Sequence, residues 1–370
     1  MHALLISEYG ALNGGEFSFL AALPKLQDAG FEFTAALPRE FDFAALLTKN
    51  NVRVKHFSFH MADKTRKPQQ LIRVELAHLI RDLAPDIVHA NSLAAGRILG
   101  PVTAKLNTIG LGYLRDIIKL SRKATDDVSQ LDQIVAVSHA TADFHVAAGM
   151  PAERIEVIHN GVDLQRFRPD WIDGTKRANS DRKVCLCIGQ IGRRKGVDLT
   201  LRTLAAAFQH APKSEVWIVG ERHSQKQEAV EYEQELHRFA EENFEPGSVK
   251  WLGRRTDIPE LMRRADVLIH AARQEPLGRV LLESAASGLP IVTTDIGGTP
   301  EILQGMHELM FPPAEFERAA PTIVELLSKD DRRVEVSKAL RQIAEQNFSA
   351  ERAGDDLARC YRHAVGLSAS

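Results

Sequence analysis

The chain has 370 residues, 26% charged and 44% hydrophobic, the composition of an ordinary soluble globular protein with room for two domains of common size. Its 47 basic and 49 acidic residues leave a formal charge of −2, which excludes a one-signed field that would draw it to nucleic acid or to an anionic membrane. Three cysteines are too few for a disulfide framework, and no uncharged apolar stretch reaches the ~18 residues of a membrane span, so a reducing, cytoplasmic setting is expected.

The opening run His2–Ser7 lacks the basic and long apolar regions of a secretion signal and reads as a strand. A helix follows over Glu16–Ala29, broken by Pro24 and stopped at Gly30, and then a strand over Phe31–Ala36. After Pro68 a helical face carries Leu71, Ile72, Leu76, Leu79, Ile80 and Leu83. Strands at Asp86–Ala90, Gln133–Val137 and Ile155–Ile158 complete this half, with Ser138 and Thr141 placed to cap the helix that ends near Gly149. A polar stretch, Arg168–Lys183, reads as a linker. Beyond it lie strands at Val184–Ile188, Glu215–Val219, Val249–Trp251, Val267–Ile269 and Ile291–Thr294, each followed by a loop and a helix. Cys185 and Cys187 read as buried strand residues, since no second Cys/His pair accompanies them to hold a metal. Strand–helix alternation predicts an α/β chain of two doubly wound parallel-sheet domains, 1–167 and 168–349, with the helical tail of about 350–370 packing back on the first.

In open parallel sheets ligands bind beyond the carboxyl ends of the strands, and four loops there carry suitable residues. The first holds Asn13-Gly14-Gly15 before a helix, where glycine lets a ligand approach backbone N–H groups. In the second, Gly189-Gln190-Ile191-Gly192-Arg193-Arg194-Lys195-Gly196, three glycines and three cations suit a diphosphate, although the order is not that of a P-loop. The third, Glu275-Pro276-Leu277-Gly278-Arg279, opens a helix that contains Glu283, a carboxylate able to pair with a vicinal diol. The fourth, Gly297-Gly298-Thr299-Pro300-Glu301, offers Thr299 as a cap with Pro300 in the first turn.

Together the run Glu275 to Glu283, the following Ser284 to Val292 and the Gly297-Gly298-x-Pro300-Glu301 loop resemble the family 4 retaining glycosyltransferases, known for an E-x7-E motif in such a block. Asn160-Gly161-Val162-Asp163 with Phe167, the Gly189–Gly196 loop and Asn13-Gly14-Gly15 are similar to further segments of that family. The resemblance implies a GT-B architecture, two Rossmann-like domains with a deep cleft between them. It implies that the second domain holds a nucleoside diphosphate sugar as donor substrate, with no separate cofactor. Lys195 would contact the pyrophosphate, with Gln190, Arg193 and Arg194 beside it. Glu275 would bind the transferred sugar, flanked by Pro276, Leu277, Gly278 and Arg279, and Glu283 the ribose. Gly15 would approach the diphosphate from the acceptor domain, whose other candidates are Asn13, Gly14, His89, Arg115 and Asp116.

Two departures mark this chain. Gln190 stands where an arginine commonly precedes the phosphate lysine by five positions, and Leu114-Arg115-Asp116-Ile117 stands where many relatives place a histidine–aspartate pair. By family resemblance the mechanism is front-face substitution, with the leaving phosphate taking the acceptor's proton and Lys195 stabilising the charge that develops. No convincing D-x-D is present, so no obligatory metal is expected. The alternatives are a GT-B-like sugar-nucleotide epimerase or hydrolase, and a non-catalytic sugar-nucleotide-binding subunit. The acceptor is read as a sugar, a lipid-linked compound or another small molecule. The segment Lys105–Lys123, which interleaves cations with Ile109, Leu111, Leu114, Ile117 and Ile118, is compatible with weak peripheral membrane contact or with a packed strand and helix.

Overall fold

The structure, a computed structural model, describes residues 1–38, 42–173, 182–211 and 213–366, so most of the expected linker, 174–181, lies outside the described residues. The chain forms two compact units, one of residues 1–161 with 350–370 and one of 162–349. The division falls at Gly161/Val162 rather than at 167/168. Val162 already belongs to the second unit, because its N–H donates to the Phe348 carbonyl and it bridges Ser349.

The first unit is built on a parallel sheet of β1 (His2–Ile6), β2 (Glu32–Leu37), β3 (Arg53–His56), β4 (Ile87–Ala90), β5 (Ile109–Leu114), β6 (Gln133–Ala136) and β7 (Ile155–Val157). Their order is β3-β2-β1-β4-β5-β6-β7. The central strands are apolar from end to end because helices cover both faces; Leu4, Leu5, Ile87 and Val88 have no exposed surface. The helix Gly14–Asp28 runs through Pro24 without a break. The terminal helix Ala350–Ala364 packs against it so closely that a Cβ at Gly354 would lie 2.5 Å from Lys25 Cβ.

The second unit carries β8 (Lys183–Ile188), β9 (Ser214–Val219), β10 (Val249–Gly253), β11 (Val267–His270), β12 (Ile291–Thr294) and β13 (Met310–Phe311), in the order β10-β9-β8-β11-β12-β13. Cys185 and Cys187 are buried in β8, where burial pushes the Cys187 thiol up to about 11. Strand order reverses direction once in each sheet, between β1 and β4 and between β8 and β11. Loops leaving the carboxyl ends of such a strand pair diverge and leave a crevice, the usual ligand position in this class of sheet.

Candidate functional site

In the second unit both switch-point strands end in a loop of interest. After β8 the chain passes Gly189 and makes a single 3-10 turn, Arg193–Lys195, before the helix Val197–Phe208. Gly196 closes that turn at φ +63°, and a Cβ there would lie 1.8 Å from the Ala271 carbonyl oxygen, so no other residue fits. The loop after β11 is tied to it by Arg273, whose guanidinium grips Asp198 through bonds of 2.6 and 2.8 Å and also donates to the Arg193 carbonyl. The Arg273 N–H donates to the Arg194 carbonyl. Burial works against the charge on Asp198, but the Arg273 and Tyr232 hydrogen bonds hold its carboxyl below the ordinary value.

That stitching brings together Lys195 and Glu275, 80 residues apart, at 2.6 Å. The same carboxylate oxygen, Oε2, meets His270 Nε2 at 2.7 Å. Burial opposes ionisation of Glu275, yet Lys195 and the His270 hydrogen bond outweigh it and hold the carboxyl at about 2. His270, at the last position of β11 and 3% exposed, was not singled out in the sequence, where it falls just past the expected strand Val267–Ile269. Its position five residues before Glu275 is the only signal it leaves.

Pro276 and Leu277 are buried, and Gly278 caps the helix Arg279–Ala286 at φ +103°. A turn and a half further, Glu283 is 6% exposed and pairs with Arg279 at 2.6 Å. Burial dominates there and raises the Glu283 carboxyl above its ordinary value, against the pull of Arg279 and Arg166. The loop after β12 supports this arrangement through Gly298, whose N–H donates to the Glu275 carbonyl. Gly298, not Thr299, caps the short helix Thr299–Leu303, and the Thr299 hydroxyl has no partner among the described residues.

The remaining expected donor-side residues separate from this cluster. Arg193 turns to the helix Gln227–Asn243, lies over the Tyr232 ring at 4.9 Å and has Glu235 at 3.6 Å. Both side chains of that ion pair are more than half exposed. Gln190 and Arg194 are exposed on the loop.

In the first unit Asn13 caps the helix Gly14–Asp28, its backbone N–H donating to Glu16 Oε2 at 3.1 Å. Gly14 is open, whereas Gly15 faces Arg115 so closely that a Cβ would lie 3.0 Å from Arg115 Cδ. Arg115 donates to the Asn91 carbonyl, to Asn91 Oδ1 and to Asn160 Oδ1 at 2.9–3.2 Å, and lies over the Tyr113 ring at 3.9 Å. Asn91 and Asn160 therefore orient Arg115; Asp116 instead receives a hydrogen bond at its backbone carbonyl from His145. His89 is a core residue, not a lining one. It has no exposed surface, bonds Tyr361 through Nδ1 and stacks on Tyr113, and burial pushes its pKa well below the ordinary value.

Among the described residues no helix is long and apolar enough to cross a membrane, and no three His, Cys, Asp or Glu side chains are grouped to hold a metal ion.

The family described as Glycosyl transferases group 1 matches residues 182–329, which contain the Lys195–Glu275 cluster. The family described as Glycosyltransferase Family 4 matches residues 12–166, which contain Gly15 and Arg115. Among curated relatives, spore coat protein SA of Bacillus subtilis is 27% identical over 252 residues, 63% of this chain and 66% of that protein. The phosphatidylinositol N-acetylglucosaminyltransferase GPI3 subunit of Saccharomyces cerevisiae is 28% identical over 222 residues, 59% of this chain but only 46% of the subunit. The matched part of the chain thus spans about half to two thirds of the length of these relatives. In fold, the chain superposes on the crystal structure of Anabaena HepE in complex with UDP and glucose with a TM-score of 0.82, covering 97% of this chain and 98% of that one at 21% identity. Two parallel sheets with reversed strand order, an E-x7-E loop and helix whose first carboxylate is locked to a lysine of the neighbouring loop, and family matches over both units lead to one assignment: the chain belongs to the family 4, group 1 glycosyltransferases, of GT-B fold.

Proposed function

We propose that this protein transfers a sugar from a nucleoside diphosphate sugar to an acceptor hydroxyl with retention of anomeric configuration. The observation that carries the reading is the convergence of Lys195 and His270 on Glu275 at the head of the helix that holds Glu283. When donor binds, Lys195 turns its charge to the pyrophosphate, and the freed Glu275 oxygen accepts hydrogen bonds from the transferred sugar. Glu283 exchanges Arg279 for the ribose diol.

In this reading Glu275 is engaged by the transferred sugar, so the departing phosphate serves as the base. In that step the C1–O bond to phosphate breaks and its electron pair stays on the phosphate oxygen. The acceptor oxygen bonds to C1 on the same face, and its proton passes to the departing phosphate. Lys195 and the N–H groups at the head of the 279–286 helix stabilise the charge as it forms. With that positive charge fixed in the protein, turnover is expected without a divalent metal and should survive chelator. The UDP seen with HepE supports a nucleoside diphosphate as the leaving group. The phosphatidylinositol in the yeast relative's name supports a lipid compound among the acceptors.

The test is turnover of a panel of UDP- and GDP-sugars by the purified protein, with and without sugar and lipid acceptors. The reading predicts acceptor-dependent release of nucleotide that is lost in Glu275→Ala, with the fold intact by circular dichroism. Nucleotide release that ignores every acceptor would point to a hydrolase, and full activity in Glu275→Ala would refute the assignment.

A further inference from the structure

Arg115 carries a charge that nothing in its unit neutralises by contact. Its three hydrogen-bond partners are a backbone carbonyl and two side-chain amides, those of Asn91 and Asn160, all neutral. No carboxylate lies within ion-pair distance of it among the described residues. The acidic side chains of Glu16 and Asp116 act on it only through space. Glu16 is spoken for by the Asn13 N–H and the Ser7 hydroxyl, and Asp116 has its backbone carbonyl, not its carboxylate, in a bond. Burying a guanidinium costs free energy, and a fold that needed only a structural cation would normally pair it. Here the surroundings instead hold it aimed. Tyr113 covers one face at 3.9 Å, the two asparagines fix the fork, and Gly15 leaves room for the stem where a Cβ would lie 3.0 Å from it.

Two further observations point to a ligand at this place. Asn91 is 1% exposed, and its Nδ2, on the same carboxamide that holds Arg115, has no acceptor among the described residues. Gly15 lies in the first turn of a 15-residue helix, whose N-terminal N–H groups add partial positive charge beside Arg115. A planar, partly desolvated fork with unspent donors is matched by a carboxylate or a phosphate, which it can bind through two parallel hydrogen bonds.

We infer that Arg115, held by Asn91 and Asn160, is the binding group for a carboxylate or phosphate carried by a sugar ligand of this enzyme. The inference rests on the proposed glycosyl transfer only in taking the ligand to be a sugar. The anionic group is taken to belong to the acceptor, which the resemblance assigns to the unit that holds Arg115. Asn160 supplies a variant that leaves Arg115 in place, since Asn160→Asp would put a carboxylate on the guanidinium and so occupy it from within.

Calorimetric titration of the full chain tests the idea with two matched pairs of probes, glucose 6-phosphate against glucose and glucuronic acid against glucose, each with and without saturating UDP. The wild type should prefer the anionic member of at least one pair by roughly tenfold to a hundredfold, the scale of a charged hydrogen bond. That preference should vanish in both Arg115→Gln and Asn160→Asp, and Arg115→Lys should keep part of it. The affinity for UDP alone, which tests the donor site built on Lys195 and Glu283, should be unchanged in all three. A wild type that shows no preference in either pair overturns the inference, as does a preference that survives in Asn160→Asp. A loss of UDP binding in Arg115→Gln also overturns it, because Arg115 would then act on the nucleotide and not on a sugar's anionic group.

Discussion

Glu275 owes its ionisation to two neighbours, and each can be removed separately. His270→Phe keeps the ring volume on β11 but leaves Glu275 Oε2 with Lys195 alone. The carboxylate should then wander, lowering kcat by about tenfold to a hundredfold while UDP affinity stays within error; steady-state kinetics and calorimetry separate these. His270→Asn, which restores an N–H donor, should recover part of kcat. The depressed pKa also has a consequence for stability. The Glu275 carboxyl sits at about 2 in the folded chain against 4.5 as its ordinary value. Its stabilisation is therefore fully present above pH 4.5 and lost as pH falls toward 2. Wild type should exceed Glu275→Gln by a few kcal/mol near neutral pH, and denaturant melts should show that margin shrinking below pH 4.5. Glu283 behaves oppositely, since burial raises its pKa. Glu283→Gln should therefore lose about tenfold or more in UDP affinity without lowering the melting temperature. The two glutamates were legible in the sequence because their spacing and flanking glycine form a motif. His270 was not, because a buried histidine at a strand end has no pattern of its own and gains its role only when a loop folds back onto it.

At the level of elements, strands buried on both faces announced themselves as apolar runs, and most were placed within a residue or two of the sequence reading. Three escaped a plain strand reading, each for a physical reason. β5 is buried, but Gly110 and Gly112, which pack against Thr103 and Leu131, break its apolar run. β3 is an edge strand whose Arg53, Lys55 and His56 face water, and β13 is two residues long. The helix Gly14–Asp28 runs through Pro24, whose lost backbone bond is tolerated in a helix whose Phe19, Leu23 and Leu26 are almost wholly buried. Close helix contacts leave even less trace in sequence. Gly354 looks like a weak point in an amphipathic helix, yet a Cβ there would lie 2.5 Å from Lys25 Cβ and 3.0 Å from the Ala22 carbonyl. Gly354→Ala gains up to ~1 kcal/mol of helix propensity, but overpacking typically costs about 1–3 kcal/mol, so a net loss of stability is expected from chemical denaturation. UDP affinity, which depends on the other unit, should not change.

For the whole molecule, the balanced charge and the burial of β5 bear on membranes. Within Lys105–Lys123, Leu111, Tyr113 and Leu114 are in the sheet, and Ile118 stands out at 44% exposure beside Lys119. One isoleucine and a few screened cations fall short of what an interfacial helix buries, so the protein should stay out of the vesicle fraction in flotation with anionic lipid at physiological salt. The sequence order of the two units has a different consequence. Residues 162–349 are one uninterrupted stretch, whereas the sheet of the first unit is made from residues 2–157 and its covering helix from 350–364. Tyr361 from that helix supplies the buried partner of His89 and packs on Phe31. During vectorial synthesis the first sheet therefore emerges with the bed for Tyr361 empty, and the later-made unit can close before the earlier one is finished. For the time it takes to translate the rest of the chain, the apolar face that receives the last helix stands open to chaperones and to aggregation.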